Sequence, residues 1–95
     1  MRYLVESYLP ASAAEDMSRV DTDARAAADD LRRAGAALRF VESIFVPVDE
    51  MCLLVYEADS AELVREASRL AGIPCERVLE ARGADGADRE ERSEL

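Results

Sequence analysis

Residues 51–57, MCLLVYE, constrain this chain more than any other stretch. Six apolar or aromatic residues follow one another before the first charge. Successive side chains of a strand point to opposite faces, so a strand with one wet face alternates polar and apolar residues. This run does not alternate, and as a strand it needs cover on both faces. The chain is only 95 residues long, which is one small domain. Few architectures of that size cover a strand twice.

The rest of the chain narrows the choice. Arg2–Leu9 (RYLVESYL) is rich in Tyr, Leu and Val, and Pro10 closes it, which predicts a first strand. Residues 12–35 read as a helix. Ser12 and Glu15 have capping-box spacing, Ala13, Met17, Val20, Ala24, Ala27 and Leu31 share one face, and Gly35 stops the run. Asp21, Thr22 and Asp23 are poor helix formers, so the helix can kink or start a second time there. Leu38–Val48 is β-branched and aromatic and predicts a second strand, with Pro47 at its end. A tight turn at Asp49–Glu50 leads into the third strand, Met51–Glu57. Asp59 and Glu62 offer a second capping box. Leu63, Val64, Ala67, Leu70 and Ala71 form an apolar stripe, and Gly72 and Pro74 end that helix. Cys75–Ala81 predicts a fourth strand. Residues 82–95 are charged and poor in large apolar side chains, as expected of a disordered acidic tail. The domain is therefore expected over 1–81 and the tail over 82–95.

The order β-α-β-β-α-β is the ferredoxin-like pattern, an α+β fold. A four-stranded antiparallel sheet carries both helices on one face, and the third strand is central. Helices cover one face of MCLLVYE; the other is bare in a single copy. Two such sheets packed face to face make a dimeric α+β barrel, with ligand space between them. A homodimer is thus expected from the apolar run itself.

Composition removes several functions. The net charge is −9, which disfavours nucleic acid and anionic membranes as partners. The sequence contains no His, Lys, Asn, Gln or Trp. Zinc sites of the Cys/His type, serine triads, Cys–His dyads and lysine Schiff bases are therefore excluded. There is no apolar run of membrane-spanning length and no secretory h-region at the N-terminus. With two cysteines, Cys52 and Cys75, the expected location is a reducing cytoplasm. The two would lie two strands apart, about 9–10 Å, too far for a disulfide.

The candidate site follows from the open face. One strand phase places Leu4, Glu6 and Tyr8 there, with Phe40, Glu42 and Ile44 on the second strand and Cys52, Leu54 and Tyr56 on the third. Glu6, Tyr8, Glu42, Cys52 and Tyr56 are then the candidate ligand-binding residues. Glu6, Glu42 and Cys52 are candidate metal ligands, an oxygen and sulfur set. Such a cleft supports a non-enzymatic protein that holds a metal cation or small ligand between two sheets. It also supports a cofactor-independent enzyme of monooxygenase, isomerase or cyclase type. Glu6 or Glu42 would then be the base, and Tyr8 or Tyr56 would orient the substrate. A third reading is an acidic protein-interaction module built on the helices and tail.

Several segments together resemble one family. They are RYLVES at 2–7, FVES at 40–43, CLLVYEADSAELVREASRLAGIP at 52–74 and ERVLEA at 76–81. The sequence is similar to small bacterial ferredoxin-like proteins, most of them domains of unknown function and some nickel-binding. The most specific part spans Cys52, Tyr56, Glu57, Glu62, Arg65, Glu66, Gly72 and Pro74, with Glu6 and Ser43 matching other recurrent positions. The resemblance implies a ferredoxin-like fold, a dimer and a metal role, with nickel as the cation. Nickel favours imidazole nitrogen, and this chain has none to offer.

Overall fold

The computed structural model describes residues 1–83. The strands are β1 (Arg2–Tyr8), β2 (Leu38–Val46), β3 (Met51–Ala58) and β4 (Arg77–Ala81); the helices are α1 (Met17–Arg33) and α2 (Ala61–Ala71). They follow in the order β1-α1-β2-β3-α2-β4. The sheet runs β2-β3-β1-β4 with every neighbouring pair antiparallel. Both helices lie on one side, so the expected ferredoxin-like α+β fold is the fold observed. β3 is central, between β1 and β2. Residues 84–95, most of the expected tail, lie outside the described residues.

Several boundaries differ from expectation, each for a local reason. The Ser12–Glu15 capping box does not form. Ala11–Asp16 is a 3₁₀ segment kinked at Ala13, and α1 starts at Met17 without a side-chain cap. Neither a kink nor a second start occurs: α1 runs unbroken through Asp21–Asp23, and Asp21 pairs with Arg25 at i,i+4. β2 ends at Val46, since Pro47 opens a 3₁₀ turn rather than ending the strand. Glu50 leaves that turn in the left-handed conformation, φ 50°. Its backbone carbonyl accepts from Leu9 N–H at 2.9 Å, and its carboxylate accepts from Ala11 N–H at 2.8 Å. The hairpin is thereby tied to the end of β1, which offsets the cost of a non-glycine residue there. Ser60, not Asp59, caps α2: its hydroxyl accepts from Leu63 N–H at 3.3 Å. Gly72, φ 72°, closes α2 in the left-handed form that glycine adopts at no steric cost. β4 begins at Arg77, two residues later than expected.

The core lies between the sheet and the helices. β1 contributes Tyr3 and Val5, β2 contributes Leu38 and Phe40, and β3 contributes Cys52, Leu54, Tyr56 and Ala58. α1 meets them with Ala24 and Ala28, small enough to bring its backbone close to the sheet. The packed face of α2 is Val64, Ala67 and Ser68, at i, i+3 and i+4. Leu70, expected in that stripe, is 49% exposed. Ser68 is buried on the other flank of the stripe, while Leu63 and Ala71 still pack against the core as expected. No helix of the described residues is long and apolar enough to cross a membrane.

Candidate functional site

The open sheet face is built by register. β1 presents Leu4, Glu6 and Tyr8 opposite Val55, Leu53 and Met51 of β3. On the far side, Glu42, Ile44 and Val46 of β2 oppose the same three β3 residues. β4 adds Arg77 beside Glu6 and Leu79 beside Leu4. The centre is an apolar strip in which Ile44 is exposed, Leu4, Leu53 and Leu79 are half-buried, and Val55 is already buried among its neighbours.

Charges on this face are largely paired. Arg77 Nε donates to Glu6 Oε1 at 3.1 Å and its Nη2 reaches Oε2 at 3.4 Å, a forked pair between β4 and β1. At the other end, Glu57 accepts from Arg2 and from Arg39 at 2.8 Å each. One carboxylate thus joins β1, β3 and β2. These bonds, Arg2's first and Arg39's second, hold the Glu57 carboxyl below the usual carboxylate range. Tyr8 is 55% exposed at the rim, and its hydroxyl donates to Glu50 at 3.4 Å. Glu42 is exposed. It is the one carboxylate of the face with no ion pair among the described residues.

Two of the five candidate residues are displaced. Cys52 and Tyr56, expected on the open face with Phe40 and Leu54, point into the helix-side core instead. Cys52 is 2% exposed and Tyr56 0%. The face of β1 and the outward positions Glu42 and Ile44 of β2 are as expected; the phase of β3 is one residue off. Both faces of β3 are apolar, so alternation carries no phase. In β2 a bulge between Phe40 and Glu42 switches the phase, putting Phe40 inside and Glu42 outside. Glu6, Glu42 and Cys52 therefore do not meet. Glu6 and Glu42 are two strands and two residues apart, about 12 Å by ideal sheet spacings, and Cys52 is on the other side. Among the described residues no group of three or more His, Cys, Asp or Glu could hold a metal ion.

In the core, Tyr56 packs edge-on against Phe40 with centroids 5.3 Å apart, and Arg25 of α1 lies over the outer Phe40 ring at 4.9 Å. Burial pushes the Tyr56 phenol up to about 12. Its hydroxyl faces Ser68 of α2, but no hydrogen bond of good geometry joins them, and both are buried without a partner. Burial, then the nearby Asp21 charge, raises the Cys52 thiol. Neither group is poised for chemistry near neutral pH. Arg2, Arg39, Glu57 and Arg77 were not among the expected site residues. Arg2 shares the parity of Leu4 and Glu6 and could have been found; the others depend on register across strands.

Fold and face together define a small ferredoxin-like α+β protein with an uncovered, mostly apolar sheet. The chain belongs to the SCO4226-like family, whose model, described as nickel responsive protein SCO4226-like, matches residues 3–81. The crystal structure of SCO4226 from Streptomyces coelicolor A3(2) aligns with a TM-score of 0.73 at 14% identity. The alignment covers 88% of this chain and 99% of that one, and at that identity it shows the fold. No curated protein matches the chain.

Proposed function

We propose that this chain is a small non-enzymatic binding protein that pairs with a second copy through its open face and holds a small ligand between the two sheets. The observation that carries this is the strip of Leu4, Leu53, Val55, Ile44 and Leu79 on an uncovered face. Such a strip beside paired charges resembles the apolar core and polar rim of an interface. Charge favours the same contact. Copies carrying −9 repel one another over most of their surface. The strand positions of this face carry Arg2, Arg39 and Arg77 against Glu6, Glu42 and Glu57, and so are balanced.

Nickel responsiveness, suggested by the family description, fits one copy poorly. The sequence has no imidazole, Glu6 is held by Arg77, and Cys52 is buried on the other face. Glu42 is the carboxylate left to offer, and pairing would supply a second one. An enzyme has less support, because Glu6 is neutralised and Tyr56 lies in the core.

Calorimetric titration of tag-free protein with nickel, with calcium and zinc as controls, tests the cation. Saturable nickel heat at a fixed ratio per dimer, lost in Glu42→Gln, would establish a cation between copies. A dimer that gives no heat would leave a small organic ligand as the occupant. A monomer would remove the proposal.

A further inference from the structure

A second opening lies on the helix side, away from the open face. It is a cleft of about 180 Å³ between the first turns of α1 and the end of α2. Its floor is formed where β1 ends and β3 begins, at the opposed pair Ser7 and Cys52. They are 3% and 2% exposed. Cys52 is a free thiol. The serine hydroxyls that form hydrogen bonds among the described residues are those of Ser43 and Ser60. Ser7 therefore keeps its donor and acceptor for whatever enters. Leu9, Val20 and Ile73 form apolar walls. A cavity of about 150 Å³ takes benzene, so the space suits one substituted ring.

The mouth selects charge. Asp23 stands there with Arg19, but their closest approach is 4.0 Å, and Arg19 also reaches Asp16 at 3.5 Å. A guanidinium shared at such lengths leaves Asp23 able to take a better donor. The C-terminal end of α2 adds partial negative charge on the same side, and the whole chain attracts cations.

We propose that this cleft binds a small amine carrying a hydroxyl at its far end, with the ammonium on Asp23, the apolar body between Val20 and Ile73, and the hydroxyl on Ser7. Pairing through the open face is not required, since the cleft lies wholly within one copy.

The test is a titration of ¹⁵N-labelled protein followed by NMR, using 4-hydroxybenzylamine, benzylamine and 4-hydroxybenzoate as probes. The hydroxylated amine is expected to bind saturably, with a Kd on the order of 1 mM for a ligand of this size. Its shifts should centre on Ser7, Cys52 and Ile73. Asp23→Asn should weaken both amines about tenfold, as loss of a charge-assisted hydrogen bond does. Ser7→Ala should bring the hydroxylated amine down to the affinity of benzylamine. Val20→Phe, which fills the cleft from α1, should abolish binding while the circular dichroism spectrum stays native. Absence of saturable shifts, equal binding of the carboxylate probe, or indifference to Asp23→Asn would overturn the proposal.

Discussion

Glu6 on β1 and Arg77 on β4 are joined by a forked ion pair, Nε–Oε1 3.1 Å and Nη2–Oε2 3.4 Å, on the uncovered face of the sheet. The pair turns the most promising candidate base into a neutralised rim. Arg77 is 63% exposed, so the pair adds little to stability. Glu6→Gln is expected to cost less than about 1 kcal/mol in urea unfolding. A larger loss would mean that the pair is covered within the interface and does not stand at its solvated rim.

Tyr56 and Ser68 bury hydroxyls without partners. An unsatisfied buried hydroxyl costs about 1–3 kcal/mol, so Tyr56→Phe and Ser68→Ala are each expected to be neutral or stabilising by up to that amount. Urea midpoints decide the matter. A clear destabilisation in either variant would mean that the hydroxyl has a partner, such as an ordered water.

The same phenol sets a behaviour at high pH. Its folded value, about 12, lies above the ordinary value of 10. Between these values the unfolded chain loses the phenolic proton and the folded chain keeps it. The contribution of Tyr56 to stability is therefore full below pH 10 and is lost as pH rises through 12. Tyr56→Phe should flatten the decline in stability across that window. An unchanged decline would mean that other groups cause it, the raised thiols of Cys52 and Cys75 among them.

Glu57 acts with the opposite sign. Its folded carboxyl sits below the ordinary value because of Arg2 and Arg39, so its contribution is present above the unfolded value, about 4.3. That contribution fades as pH falls through the lower folded value. Glu57→Gln should remove part of the acid sensitivity, measured as urea midpoint against pH. The effect is small, since the pair is partly exposed and screened.

The cysteines differ by environment. Cys75 is exposed and Cys52 buried. A carboxylated aromatic disulfide reagent, larger than a single ring and of the charge that Asp23 repels, should titrate one thiol per folded chain quickly and the second only on unfolding. Cys75→Ser should remove the fast phase. Two fast thiols would mean that the cleft above Cys52 admits the reagent.

Element order, the sheet topology and the outward phase of β1 could be read from residues alone. RYLVESY alternates, so Leu4, Glu6 and Tyr8 fall on one face whatever else happens. MCLLVYE does not alternate, and the very property that predicted cover on both sides erased the phase that would say which side Cys52 and Tyr56 occupy. The bulge after Phe40 is a second such loss: one extra residue moves Glu42 to the face opposite Phe40, and nothing in RFVES marks it. Glu50 was legible as a turn residue, but its link to Ala11 was not. That bond spans 39 residues and exists only once the hairpin and the β1–α1 junction come together.

The central claim is that the strip around Leu53 is covered by a second copy. Sedimentation velocity on tag-free protein at micromolar concentration, beside the Leu53→Glu variant, tests it most directly. The expected result is a dimer for the natural sequence and a folded monomer for the variant, because a charge at the centre of the strip cannot be buried against its symmetry mate without several kcal/mol of cost. A natural chain that sediments as a monomer, or a variant that remains a dimer, would contradict it.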